Sequence, residues 1–599
     1  MDVKKILCFA FCIVFVLSAF VSCVDLNNEC VNETNDTAET TDNTNTDSAD
    51  VTDSTVVTGD FLDIVKDGVV VDIVYPQYAT SDELQAANKI ATVLKGISGI
   101  SIMPKEVSVE YDPNKVEIVV GNTEYPESKN AFVGLNYCQG TVRVDGNKLI
   151  VAAYGEEAYS QLSSKLTIAF NNAKEKNKNV RIDKGYSVTV SSNSLVSKLP
   201  IVSGISLNDI KDAGDGCYIL SFKKANNAIV EQYLYDLKTK GYSEYTSNTI
   251  EENYYYTYQN GSEVITVSFT NYDKDMKVMV ESLSTTALPK LEAENVWMPV
   301  EGVSTTISQL GLYYDYNGKT AKDDYVNGMS YVIRLEDGSF IVIDGGHPKQ
   351  IDSDRIYNVM KKQAPDPDNI VIAAWIFTHG HEDHTGFFPS FCQTYSSKVT
   401  VEQFIYNFPS PNELNDAASV STRGNIERYF KDAEIVKAHP GQVFYIRNSK
   451  ITMLYTNDLW DYKTTSLTSS NFASLVFTIE MEGKKIMMLG DYADAGTLRS
   501  LYSSKTLKSD IMQVSHHGIS DCGTLLYPIV APEWALWPLG SDYIEKYDRV
   551  VSEHQMNAYM KTMDKNKVFM AEDNIVILTL NDGTVYAQVF DTDTVYFAS

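Results

Sequence analysis

The chain has 599 residues, a formal net charge of −29 at pH 7, 44 % apolar residues and 11 % aromatic residues. This length exceeds what one hydrophobic core serves, so about three or more domains are expected. An acidic chain of this kind is a poor candidate for broad gripping of a nucleic-acid backbone, which needs a basic face.

The N-terminus places Lys4 and Lys5 ahead of an apolar run from Ile6 to Val21. That run is short for a membrane span, which takes ~20 residues, and suits an export signal over residues 1–22. It ends in "FVSC", which resembles the bacterial lipoprotein signal. The resemblance implies a lipid on Cys23, a membrane anchor and a place at the outer face of a bacterial cell membrane. Residues 23–58 are rich in Thr, Asn and Asp and lack Lys, Arg and aromatics. Such a stretch cannot bury a core and reads as a disordered acidic tether. Beyond the signal and Cys23, the cysteines are Cys30, Cys138, Cys217, Cys392 and Cys522. Their number is odd and their spacing wide, so neither a disulfide framework nor a thiolate metal site is expected.

Residues 60–195 read as an α/β accessory domain. "GVVVDIVYP" has strand character, and "SDELQAANKIATVLKGISG" carries apolar residues at helical spacing with Ser81 as the expected cap. "KVEIVVGN" follows as a buried strand, then "GTVRVDGNKLIVAAY" as a hairpin turned at Asp145-Gly146, then a second helix in "EEAYSQLSSKLTIAFNNA". The order loosely resembles the small α/β domain that precedes the catalytic domain of many secreted glycoside hydrolases. No catalytic residue comes with that likeness. Residues 200–290 read as a small α+β domain, with a helix in "NNAIVEQYLYDLKTKGY" and strands in "NYYYTYQN", "EVITVSFTNY" and "MKVMVES". Its tyrosines read as sheet packing, and no chemistry is assigned to it.

From residue 295 to 599 the chain changes character, and all eight histidines lie at or after His347. An internal echo runs through this region. "SYVIRLEDGSFIVIDGG" reads as a strand pair ending on Asp344, followed by a helix, the strand "NIVIAAWIF" and His379. "SLVFTIEMEGKKIMMLGD" reads as a strand pair ending on Asp491, followed by a helix, the strand "SDIMQVS" and His516. Each half delivers an aspartate and a histidine cluster at strand ends.

The densest cluster is "HGHEDH", with His379, His381, Asp383 and His384 within six residues. A strand leading into it places these side chains on a tight loop at the sheet edge. His379 and His381 converge on one ion from an extended turn, whereas on a helix they would diverge by ~200°. Asp383 and His384 then address a second position. Imidazole with carboxylate suits Zn²⁺ or a similar ion, and Gly380 and Gly386 are expected to permit a sharp backbone path.

These residues resemble the metallo-β-lactamase-fold hydrolase superfamily, whose HxHxDH motif matches His379, His381, Asp383 and His384. The resemblance implies a C-terminal αββα sandwich in a chain of α/β (α+β) class, preceded by the two smaller domains. It makes Asp344 a support for the metal loop and Asp491 the carboxylate shared by two divalent ions, zinc or alternatively manganese. It makes His516 or His517 the last metal histidine, without deciding between them. The ions, ~3.5–4 Å apart, would share a hydroxide of lowered pKa as nucleophile, with Asp383 orienting it. The order of the later motifs is similar to the ComEC-type branch, and His554 falls where that branch has a late histidine, a candidate for substrate contact or proton donation. One departure is the histidine that other members place before the strand matching "SLVF", where this chain has Ser470 and Asn471. Asn471 or water would complete the first site. His439 lies too far ahead to substitute, and His347 reads as structural.

The resemblance implies hydrolysis of a phosphodiester or related ester, in a small molecule or polymer, outside the cell. β-Lactam hydrolysis is a second option, disfavoured by the missing histidine. A non-catalytic surface-binding lipoprotein with a structural metal site is the alternative of another class.

Overall fold

A computed structural model describes residues 59–108, 110–312, 327–414, 416–460, 470–518, 522–540, 559–572 and 574–591. The signal, the tether, Cys23, Cys30 and His554 lie outside the described residues. Among the described residues no helix is long and apolar enough to cross a membrane. Cys138, Cys217, Cys392 and Cys522 are buried, and no disulfide joins them among the described residues.

The first large sheet has six strands in the order Lys105–Glu106, Asp72–Tyr75, Glu117–Val120, Lys148–Ala153, Gln139–Asp145, Ser187–Ser191. Alternate residues bury on opposite faces, as the two-residue strand period requires. Ile118, Leu149 and Val151 pack with the helices Ser81–Ser98 and Glu156–Asn172, and Val119 and Ile150 pack on the other face with Ala131. Three details differ from the sequence reading. Thr80, not Ser81, caps the first helix, because Glu83 stands three residues beyond it and closes a capping box. "GVVVDIVYP" divides between two sheets, Val69–Val70 joining a three-stranded sheet and Asp72–Tyr75 the six-stranded one. The hairpin loop is Gly146-Asn147, since Asp145 pairs with Lys148, and Gly146 takes the positive φ such a two-residue turn needs.

A second six-stranded sheet, all antiparallel, spans Asp209 to Ser282. One face packs on the helix Asn227–Thr239 through Val230, Tyr233 and Leu237. The other carries polar side chains that reach into the C-terminal half. Lys277 Nζ donates to the Asp458 carbonyl at 2.6 Å, and Asn253 Nδ2 to the Leu501 carbonyl at 2.8 Å. Asp215, in a turn of this sheet, pairs with Arg423 at 2.5 Å and Lys437 at 3.2 Å.

The C-terminal half is a sandwich of a nine-stranded and a seven-stranded sheet with helices on both outer faces, the αββα arrangement. Tyr331, Ile333, Ile341 and Ile343 from one sheet meet Ile451, Phe477, Ile479 and Ile486 from the other. Phe340, Val342 and Trp375 point away, onto the helices Gln350–Gln363 and Phe388–Tyr395. Burial on both faces explains why these strands read as almost continuous apolar runs.

The echo is topological. In the first sheet Ser330–Arg334 and Phe340–Asp344 are antiparallel, and the latter runs parallel to Ile370–Ile376. In the second, Val476–Met481 and Lys484–Met488 are antiparallel, and the latter runs parallel to Ile511–Gln513. Ile370–Ile376 lies in the interior of its sheet, so the histidine loop leaves the C-terminal end of a central strand and not a sheet edge. The strand Asn574–Asn581 returns to the first sheet beside Thr305–Leu310.

Candidate metal centre

Both parallel strand pairs open toward one point. Asp344 ends its strand with φ 53° and is fully buried. Its Oδ1 accepts from the Thr378 amide at 2.8 Å, and its Oδ2 accepts from Thr378 Oγ1 at 2.6 Å and from His384 Nδ1 at 2.7 Å. Both oxygens are thereby spent on the loop.

That bond fixes His384. With Nδ1–H donated to Asp344, Nε2 carries a lone pair, and it lies 3.1 Å from Asp491 Oδ1. His517 is fixed likewise: Nδ1 donates to the Pro538 carbonyl at 3.0 Å, leaving Nε2 at 3.2 Å from both Asp383 Oδ2 and Asp491 Oδ2. On the other side of Asp491, His379 Nε2 and His381 Nδ1 face each other at 3.1 Å, and His379 Nε2 is 3.8 Å from Asp491 Oδ2. Two donor sets result, Asp383–His384–Asp491–His517 and His379–His381–Asp491, with Asp491 common to both.

The residues fit metal ions. His384 Nε2, His517 Nε2 and Asp491 Oδ1 are buried without a hydrogen-bond partner, and each such atom costs ~1–3 kcal/mol if unsatisfied. Lone pairs aimed at carboxylate oxygens repel unless a proton or a metal ion lies between them. Bonds of ~2.0–2.1 Å in a tetrahedral zinc site put neighbouring donors ~3.3 Å apart, close to the separations seen. Burial opposes charge on His517, yet Asp491 and Asp383 outweigh it and lift its pKa to about 9. Burial likewise works against Asp491, yet His384 and His517 hold its carboxyl well below the usual range. Burial and the neighbouring His384 push His379 well below the ordinary imidazole value. The centre is thus a pocket of ionised carboxylates that draws positive charge.

His516 and His517 both occupy the left-handed region, with φ 47° and 54°, a conformation that costs ~1–3 kcal/mol per residue and collects at functional sites. The twist turns His517 inward and leaves His516 at the rim. His516 Nε2 is 3.9 Å from Asp491 Oδ2, its side chain is 27 % exposed, and Asn471 Nδ2 lies 3.1 Å from it. Asn471 therefore sits beside the site through His516. Ser470 Oγ donates to Asp416 Oδ2 at 3.0 Å.

Gly380 and Gly386 serve for space rather than for a sharp turn, since neither takes a positive φ. A Cβ on Gly380 would stand 2.7 Å from Ser419 Cβ, and one on Gly386 2.3 Å from the Glu382 carbonyl oxygen. His439 belongs to neither of these donor sets and forms another group with Cys217 and Glu281. It bonds Glu281 at 2.6 Å through Nε2 and Asp458 at 2.7 Å through Nδ1. These are separations across a proton, shorter than those across a metal, so His439 is a doubly paired imidazolium. Its two carboxylates lift it to about 10 against the effect of burial. His347 donates from Nε2 to the Asn327 carbonyl at 2.7 Å. Asn327, whose Nδ2 lies 2.9 Å from Asp383 Oδ2, was not legible as a site residue; only the Asn-Gly dipeptide marked a turn there.

Residues 323–450 match the family model described as "Metallo-beta-lactamase superfamily". The chain carries a metallo-β-lactamase superfamily domain. The HGHEDH motif of this domain lies inside the matched segment, while Asp491 and His517 lie beyond it. No curated protein matches the chain. Solved structures similar to it include the metallo-β-lactamase fold protein YhfI from Bacillus subtilis, at 13 % identity over 47 % of this chain and 99 % of that one, with a TM-score of 0.28. Zn²⁺-bound PqqB from Methylobacterium extorquens is 12 % identical over 35 % of this chain and 71 % of that one, with a TM-score of 0.25. CmlA, a diiron β-hydroxylase from Streptomyces venezuelae, is 10 % identical over 39 % and 44 %, with a TM-score of 0.22.

Proposed function

We propose that the chain is a metal-dependent hydrolase that cleaves a phosphodiester or related ester, of the ComEC-type branch, held by a lipid on Cys23 at the outer face of a bacterial membrane. The observation that carries the hydrolase reading is Asp491, whose carboxylate stands within 3.1–3.9 Å of His384, His517, His379 and His516. One carboxylate between two imidazole sets is an arrangement for two ions rather than for one.

Zinc, or alternatively manganese, would supply a water of lowered pKa and polarise an ester oxygen. His379, His381 and Asp491 would hold one ion, and Asp383, His384, Asp491 and His517 the other. Asp344 keeps His384 in the tautomer that presents Nε2, and the Pro538 carbonyl does the same for His517. Asp383, 18 % exposed at its side chain where Asp491 is 2 % exposed, is the carboxylate that faces incoming water. We assign His554 to protonation of the leaving oxygen.

The test is a substrate-class screen on metal-loaded protein. Two equivalents of metal and turnover of a chromogenic phosphate diester are expected, with turnover abolished in His381→Ala. Metal uptake without cleavage of phosphodiester, lactone or β-lactam would instead support a binding lipoprotein. For the anchor, Cys23→Ala is expected to move the protein from the membrane fraction to the soluble one.

A further inference from the structure

Asp383 is the more exposed of the two carboxylates in the donor sets and sits on a four-residue helix, Glu382–Thr385. The segment Asn327–Met329 holds it through two hydrogen bonds and packs its backbone closely beside it. Asn327 Nδ2 donates to Asp383 Oδ2 at 2.9 Å, and the Met329 amide donates to the Asp383 carbonyl at 3.1 Å. Gly328 passes so close that a Cβ there would lie 2.7 Å from the same carbonyl oxygen and 3.2 Å from His347 Nε2, with φ 115°. The amide orientation of Asn327 is settled by its partner, since a carboxylate only accepts.

Asn327 is in turn held from behind. His347 Nε2 is 2.7 Å from the Asn327 carbonyl oxygen, which only accepts, so His347 is the Nε2–H tautomer. The His347 amide donates to Asp352 Oδ2 at 3.1 Å, tying it to the first turn of the helix Gln350–Gln363. The chain of contacts runs from that helix through His347 and Asn327 to Asp383 and ends 3.2 Å from His517 Nε2.

We propose that Asn327 is a positioning residue that fixes the Asp383 carboxylate against His517 and Asp491, and that His347 acts through Asn327. The inference rests on the dinuclear reading above. It gives His347 a role in the centre without making it a ligand. By occupying one lone pair of Oδ2, Asn327 selects the carboxylate face left for the ion. The entropy of ordering Asp383 is met before any ion arrives.

The experiment is a zinc titration of chelator-stripped full-length chain, repeated with cobalt for its visible spectrum. Wild type is expected to take two equivalents. Asn327→Ala is expected to weaken one of them 10–100-fold, the range for losing a partner behind a metal ligand. The other equivalent and the metal-free melting temperature should be unchanged. His347→Leu should weaken the same equivalent, and His347→Gln, which keeps a donor, should restore it. Two equivalents of wild-type affinity in Asn327→Ala would overturn the inference while leaving the proposed function standing. So would equal weakening of both together with a lower metal-free melting temperature, which marks a fold defect. If Asn327→Ala does not fold, the His347 pair decides: Leu and Gln variants indistinguishable from wild type overturn it. A wild-type chain that takes no metal overturns the dinuclear reading itself and this inference with it.

Discussion

His439 offers a sharp test of how the second six-stranded sheet is joined to the C-terminal sandwich. Its imidazolium is 1 % exposed and lies 2.6 Å from Glu281, on that sheet, and 2.7 Å from Asp458, in the sandwich. Replacing it by leucine leaves two buried carboxylates without their shared cation, a loss of ~3–5 kcal/mol. The titration gives a similar figure. A folded pKa of about 10 against ~6.5 unfolded corresponds to roughly 5 kcal/mol, at ~1.36 kcal/mol per pH unit. Because the folded pKa is the raised one, this stability is complete below pH ~6.5 and drains away as pH rises toward about 10. Asp458 also faces Asn407, Thr456 and Lys437, which wild type and variant share. Urea unfolding of wild type and His439→Leu at pH 7 should therefore differ by ~3–5 kcal/mol, and at pH 10.5 the gap should largely close. An equal gap at both values, or less than ~1 kcal/mol at pH 7, would refute the assignment of a buried imidazolium.

Asp491→Asn should reduce bound zinc from two equivalents to one or fewer by elemental analysis, because both donor sets lose their common carboxylate. Gly380→Ala should cost ~1–3 kcal/mol by thermal melting and weaken metal uptake, since its Cβ would meet Ser419 at 2.7 Å and Asp416 Oδ2 at 3.0 Å. Glu336 shares a hydrogen bond with Glu482 and is raised to about 7, chiefly by that bond. Its stabilising effect holds at acid pH and is lost as pH rises through about 7. Glu336→Gln should accordingly raise the melting temperature at pH 8 and leave it unchanged or lower at pH 5.

The sandwich was legible because its strands are apolar on both faces, and the repeated strand–turn–strand–helix–strand order showed which ends would carry the donors. HGHEDH was legible from residue type alone. Other parts depend on directions that sequence does not carry. Whether His516 or His517 faces inward follows from two consecutive positive φ angles, which no composition signals. Gly380 and Gly386 looked like turn residues, but the demand on them is space, set by Ser419 and Glu382. Asn327 meets Asp383 across 56 positions, and nothing local distinguishes it from any Asn-Gly turn. The polar face of the second sheet looked inert because its partners, His439 and Asp458, lie far along the chain.

The strand Asn574–Asn581 has a consequence for biogenesis. It docks beside Thr305–Leu310, with Thr305 opposite Leu580, so two neighbours in one sheet are made at opposite ends of the synthesis of this half. Until the late strand arrives, the early one presents an open flank, and contacts this distant in sequence form slowly.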